Sequence, residues 1–516
     1  MGTSAKRFDG QGRLFGRALV HTSAFALAAF LGSVCPAPAR AESLRDALAA
    51  AYFYSPKLDA ERARLRATDE NVARAESGWR PTVEGSVDFG HQDSTSKPKS
   101  STNGESDPWG YSISVRQPLF DGFRTTNGIS EAEASVKAGR ENLRLVETTT
   151  LLEAVTAYVD VVSAQSVVRI RENNVRVLKE ELDAAKTRRA VREVTRTDVA
   201  QAQARLAGAL STADLARADL KKARANYRRV IGHEPSSLHL PPLGLKQLPN
   251  SLEEAWAAAE RQNPSVGSAL HREEAARYAV DKIRGELLPE VNLEANWGVR
   301  ENSNAFYDQQ EQASITGRVS IPLYDGGDTR ARVRQAKQIH VSRLQEIEQT
   351  RADVQAAVTA AWSELQGQKA KLHSDEIQVE ANRIALEGVR EEQKVGQRML
   401  LDVLNAEQEY LESQIQLVSA KREVVIANYQ LLAAIGQLSA EELGLTDAIY
   451  DPAVHLEEAR NDWFGIEITR AGGTPETVEA YASDSGYVLV QPAEQAPLPP
   501  VVEEYYPETS GPPILK

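Results

Sequence analysis

Two hydrophobic periods divide this chain. In four short stretches apolar and polar residues alternate. Val83, Gly85, Val87 and Phe89 stand against Glu84, Ser86 and Asp88, and Trp109, Tyr111, Ile113 and Val115 against Ser112, Ser114 and Arg116. Val291, Leu293, Ala295, Trp297 and Val299 stand against Asn292, Glu294 and Asn296, and Ala313, Ile315, Val319 and Ile321 against Ser314, Thr316, Arg318 and Ser320. A period of two predicts strands with one apolar face, here at 82–91, 109–119, 290–300 and 313–322. Each has roughly the ten residues of a membrane barrel stave, and Trp109 and Trp297 fit interfacial aromatic girdles. The polar segments 91–108 and 301–312 read as cell-surface loops. Prolines 81, 118, 289 and 322 mark where strand meets helix.

The second period is helical. No proline occurs from Leu119 to Glu234 or from Leu323 to Asp451, and both stretches carry the 3-4 spacing of a coiled-coil seam. Val199, Leu206, Ala213, Leu220 and Tyr227 follow one seam; Leu401, Leu404, Leu411, Ile415, Val418 and Val425 follow the other. Each stretch is read as a helical hairpin, 124–232 and 327–436, with weak points at 191–197 and 395–400. A first arm of about 65 residues would be roughly 100 Å long.

The same landmarks recur in the same order 204 to 208 residues apart. Tyr54-Ser55-Pro56 returns as Gln262-Asn263-Pro264, the segment from Gln117 to Gly122 as that from Ile321 to Gly326, Asp198 as Asp402, and Ile231-Gly232 as Ile435-Gly436. The chain therefore divides into a first repeat at 42–235, a linker at 236–250, a second repeat at 251–445 and a tail at 446–516.

Residues 1–41 have a basic start, an apolar stretch and Ala39-Arg40-Ala41, the layout of an export signal cleaved before Glu42. Cys35 is the one cysteine of the 516 residues, so cleavage would leave no thiol for catalysis or metal binding. No later stretch approaches the roughly 18 unbroken apolar residues of a membrane helix. The formal net charge of −13 excludes a basic nucleic-acid groove. The tail, rich in proline and acid, is expected to be largely disordered apart from a short element near His455 to Phe464. There is no HExxH, P-loop or GxSxG, so neither an enzyme, a cofactor nor a metal is expected.

Four strands cannot close a barrel, and an open edge in lipid leaves backbone groups unpaired, so the chain must share its barrel with copies of itself. Two copies would give eight strands and three would give twelve. A periplasmic coiled-coil adaptor or tether outside the membrane is the rival reading. The motifs around Pro118, Pro322, Thr197 and Arg398, with the duplicated layout, resemble the TolC-like outer-membrane factors over roughly 42–445. The resemblance implies a homotrimer with a shared twelve-stranded barrel and a long periplasmic α-barrel, in the outer membrane of a Gram-negative bacterium. It implies the exit duct of type I secretion or multidrug efflux, docked to a periplasmic adaptor and an inner-membrane ABC or RND transporter.

It also implies a periplasmic gate. Arg398 matches the arginine that ties one hairpin tip to the other, Thr197 and Asp198 match its partners, and Asp402 matches an aspartate ringing the aperture. Asn405 replaces a second ring acid and Gln393 a tyrosine lock, which implies a looser gate. The adaptor-docking tips would be Val191-Arg192 and Val395-Gly396. Arg192 stands where the second tip keeps glycine, which argues against a tight turn at the first.

Overall fold

The computed structural model describes residues 42–95, 104–244, 248–304, 307–445, 449–466, 468–469 and 475–476. The expected signal and Cys35, and the tail beyond 476, lie outside the described residues. In chain order the helices are α1 (Leu44–Tyr54), α2 (Pro56–Glu76), α3 (Arg124–Ala190), α4 (Arg196–Ile231), α5 (Leu252–Gln262), α6 (Pro264–Gly285), α7 (Asp328–Lys394), α8 (Leu400–Ile435) and α9 (Pro452–Asn461). The strands are β1 (Thr82–Phe89), β2 (Gln92–Ser94), β3 (Gly104–Ser106), β4 (Trp109–Phe120), β5 (Glu290–Asn304) and β6 (Tyr307–Ser320), followed by the two-residue pair β7 (Ile468–Thr469) and β8 (Pro475–Glu476).

The chain forms two compact units. Among the described residues, one comprises 42–59, 144–263 and 351–445; the other comprises 60–143, 264–350 and those from 449. The core of the first gathers α1 through Leu48 and Ala51, mid-α3 through Leu151, Val155 and Tyr158, the end of α4 through Tyr227 and Ile231, and α8 through Leu431, Leu432 and Ile435. The two tyrosines need polar partners for their buried hydroxyls: Tyr158 lies 2.9 Å from the carbonyl oxygen of Glu42, and Tyr227 donates to its carboxylate at 2.6 Å. This core also explains an exception to the expectation of no membrane-length helix. One stretch of α3 is long and apolar enough to cross a membrane, and the same helix supplies Leu151, Ala154, Val155, Tyr158 and Val162 to this core.

Seven-residue spacing proves a good guide to α4, where Val199, Ala213 and Tyr227 are buried and Leu206 and Leu220 half-buried. In α8, Leu404, Leu411 and Val425 are buried, but Leu401 is 39% exposed and lies off the seam. Leu400 packs in its place, with Leu404, against Leu178, Leu182 and Val199 of the first hairpin.

In the second unit, β1, β4, β5 and β6 form one antiparallel sheet in that order, so β4 and β5 join the two repeats at its centre. The strands differ in extent from the expectation. β5 and β6 continue to Asn304 and from Tyr307, so most of the segment expected as a loop at 301–312 is paired backbone. Polar residues there face both ways, which hides the strand from a period-two reading but costs nothing where water meets both faces. Within the other expected loop, Gln92–Ser94 pairs with Gly104–Ser106. α9, the short element expected in the tail, is capped by the Asp451 carboxylate, which accepts from the Ala453 amide at 2.8 Å. Its His455 Nδ1 meets Asp69 at 3.1 Å, and Asp69 is fully buried, with its carboxyl pushed up by desolvation.

Candidate functional site

The register sorts the sheet into an apolar and a polar face. Val83, Val115, Ala295 and Ile315 form one cross-strand row, and Gly85, Ile113, Trp297 and Ala313 the next. Much of this face is uncovered among the described residues: Phe89 is 80%, Ile315 78% and Val83 69% exposed, while Val299 is buried. Tyr111 lies between Trp109 and Trp297, at ring distances of 6.3 and 5.7 Å. The intervening rows are polar, such as Glu84, Ser114, Asn296 and Ser314, and carry cross-strand ion pairs. Arg318 meets Glu294 at 3.1 Å, and Arg300 reaches past the side-chain-free Gly110 to Asp88 at 3.3 Å. A sheet so sorted can present one face to lipid and the other to water. The outer edges of β1 and β6 have no strand partner among the described residues.

The four prolines do not all sit alike. Pro81 and Pro289 immediately precede β1 and β5, and Pro322 follows β6. Pro118 lies inside β4, where the register shifts between Pro118 and Phe120, because proline has no amide to donate to the ladder. Both strand-to-helix turns are then closed by aspartate. Asp121 accepts from the Thr125 amide at 2.7 Å, and Asp325 accepts from the amides of Gly327 and Thr329 at 2.9 and 2.8 Å. These donors, with the Thr329 hydroxyl, hold the Asp325 carboxyl down at about 2. Gly122 takes φ 70°, and a Cβ there would meet the Gly285 carbonyl oxygen at 2.3 Å.

At the tips the two repeats turn by the same hydrogen bonds. The amides of Arg192 and Glu193 donate to the carbonyls of Arg189 and Arg188, and those of Gly396 and Gln397 to Gln393 and Glu392, all at 2.9–3.0 Å. This is a helix-ending pair that requires a left-handed residue. Gly396 supplies it at φ 79° and Arg192 at φ 68°, so the first tip is tight despite its side chain. Val191 and Val395 stand out at 65% and 71% exposure beside these turns.

The polar candidates are placed differently from the expected links. Within one chain Arg398 does not reach Thr197 or Asp198; it bonds Glu392 across its own turn at 2.8 Å, which raises the guanidinium pKa. Asp198 closes a capping box, its carboxylate accepting the Thr195 amide at 2.8 Å while the Thr195 hydroxyl accepts the Asp198 amide at 3.2 Å. Asp402 accepts the Met399 amide at 3.1 Å, but methionine has no hydroxyl to complete the box. Thr197 is exposed and Gln393 half-buried. Asn405 is the candidate that does bridge the hairpins, accepting from Arg205 at 2.9 Å.

A further polar group was missed by the sequence reading. Glu407 is only 5% exposed, is bonded by Arg390 at 2.5 Å, and has its carboxyl pushed up by desolvation and by nearby Glu181. Its signal was a charged residue between the seam positions Leu404 and Leu411.

A profile of outer membrane efflux proteins matches the chain over residues 48–233 and 257–437. The chain belongs to this outer membrane efflux protein family. It is 39% identical over 432 residues to the outer membrane efflux protein BepC of Brucella suis biovar 1, covering 83% of this chain and 92% of that one. It is 26% identical over 343 residues to the alkaline protease secretion protein AprF of Pseudomonas aeruginosa, covering 65% and 71%. The Campylobacter jejuni CmeC outer membrane channel has the same fold at a TM-score of 0.69 and 14% identity, covering 81% of this chain and 89% of that one. This family member is thus an outer-membrane exit duct of secretion or efflux, of the TolC type. The tether outside the membrane gives way to that channel. Its relatives are channel proteins, not enzymes.

Proposed function

We propose that this efflux-family channel acts as a homotrimer in a tripartite type I secretion or multidrug efflux system. Three copies would close a twelve-stranded barrel, edge β6 of one meeting edge β1 of the next. The single observation that carries this reading is the four-stranded sheet, apolar on one face, with two edges unpaired among the described residues. Such edges cannot face hydrocarbon. The hairpins would form the periplasmic α-barrel, and the tips at Val191-Arg192 and Val395-Gly396 would dock a periplasmic adaptor serving an inner-membrane ABC or RND transporter.

The gate lies, on this proposal, at the helix starts beyond the tips, with Thr197, Asp198, Gln393, Arg398, Asp402 and Asn405 forming its polar ring. Arg205–Asn405 would tie the hairpins, while Glu392 keeps Arg398 extended beside its turn. The test is planar-bilayer conductance of the detergent-purified protein, with its mass in the same detergent. A trimer with small, cation-biased conductance that rises in Arg398→Ser and Asp402→Ala is expected. Unchanged conductance in both variants would remove the gate assignment, and a detergent-free monomer that forms no pores would remove the trimer.

A further inference from the structure

The largest unexplained apolar exposure among the described residues follows α9. Phe464 is 96% and Ile466 99% exposed, and Trp463 is 58% exposed. The segment is not placed at random. Arg460 pairs with Glu76 at 3.1 Å and with Glu133, which fixes the end of α9 against α2 and α3. Arg80 donates to the Arg460 carbonyl at 3.2 Å, and its guanidinium lies over the Trp463 ring at 4.3 Å. Arg80 is separated from β1 by Pro81 alone, and Val83, the first residue of the apolar face, is 69% exposed. Trp463 is therefore tied to the end of the sheet where β1 and β5 begin and β4 and β6 finish. At that end Leu119, Ile321 and Leu323 are also 55–88% exposed.

We propose that Trp463, Phe464 and Ile466 are a second lipid contact of this chain, seated in the headgroup boundary of the periplasmic leaflet, with phospholipid as the partner. Three observations favour lipid over another occupant. The patch is tied through Arg80 to the end of the sheet where the exposed apolar face begins at Val83. Its order, a tryptophan with a cation over its ring and then two apolar side chains, is that of an interfacial anchor. And the segment emerges from a helix held by ion pairs, so the anchor position is set by folded protein. The proposal rests on the reading that the apolar face of the sheet meets lipid, and the test separates the two.

In the full chain carrying Cys35→Ser, single cysteines would be introduced as Phe464→Cys, Ile466→Cys, Ile315→Cys on the apolar face and Val454→Cys on α9. Each would be nitroxide-labelled and reconstituted into phosphatidylethanolamine–phosphatidylglycerol vesicles, and collision rates with oxygen and with a water-soluble nickel chelate compared. The labels at 464, 466 and 315 should favour oxygen, and the label at 454 nickel. If 315 reads as lipid while 464 and 466 match 454, the patch lies in water and the proposal fails although the barrel stands. If 464 and 466 are shielded from both reagents, a second copy of the chain covers them and the proposal fails. If 315 itself reads as water, the lipid-facing sheet falls first.

Discussion

Replacing Arg390 by alanine should loosen the tip region in a strongly pH-dependent way. Glu407 is 5% exposed, Arg390 supplies its hydrogen bond at 2.5 Å, and its other carboxylate oxygen has no hydrogen-bond partner among the described residues. Breaking a buried pair costs about 3–5 kcal/mol when a charge is left uncompensated. Screening reduces that here, because the Arg390 side chain is 41% exposed and water already reaches part of the pair; about 2 kcal/mol remains at pH 8. The stranded carboxyl can also take up a proton, at about 1.4 kcal/mol for each unit between about 4.3 and the working pH, a route that relieves the loss only as pH falls. The sign follows from the proton balance. The Glu407 pKa is already raised in the folded chain, so folded protein binds the proton more tightly than unfolded, and stability falls as pH rises from about 4.3 through the raised value. Removing Arg390 lifts that value further and widens the window upward. Amide exchange in 400–411, corrected for intrinsic rates, should be roughly 30-fold faster than in the parent at pH 8 and approach the parent as pH falls, since 2 kcal/mol corresponds to about that factor. Adding Glu407→Gln should restore most of the protection at pH 8. Parent-like exchange in Arg390→Ala at pH 8, or no rescue by the glutamine, would refute the argument.

Three other outcomes follow from the turns and caps. Thr195→Ala should cost about 1 kcal/mol, read as faster exchange confined to the first turn of α4, because the Thr195 hydroxyl both accepts from the Asp198 amide and donates to its carboxylate, leaving only the Thr195 amide half of the box. Asp325→Ala should lower the melting temperature at neutral pH and lose that effect in strong acid. A depressed carboxyl contributes stability above its unfolded value near 3.9, and that contribution fades as pH falls through about 2. Gly436→Ala should impair folding, measured as loss of the detergent-stable species, because φ is 85° and a Cβ would lie 2.4 Å from the Gln262 carbonyl oxygen.

The fold was legible where one physical demand dominated a long stretch. Apolar alternation exposed all four staves because one face must meet lipid, and missing prolines exposed the helices because a proline would break them. Legibility ended where the demand lapsed. The polar run from Tyr307 to Gln312 pairs as strand with nothing in its side-chain pattern to announce it. Arg192 looked hostile to a tight turn, but a left-handed residue other than glycine costs only about 1–2 kcal/mol, less than two helices gain by packing back on each other. Asp198 and Asp402 were readable as special acids; that each spends its carboxylate on a helix start was not, since it depends on local backbone geometry. Arg205 and Asn405 are 200 residues apart, and only the packing of the two hairpins brings them together.

The caps make the duplicated halves mechanically unequal. The first hairpin starts its return helix on a complete reciprocal lock but turns on a strained arginine; the second turns on relaxed glycine but starts its helix on methionine, with half a lock. In the proposed trimer, weakly and firmly latched helix starts would therefore alternate around the aperture. A ring of six hairpins would then open with threefold symmetry, the second hairpin of each copy yielding first while the first remains as the fixed jamb.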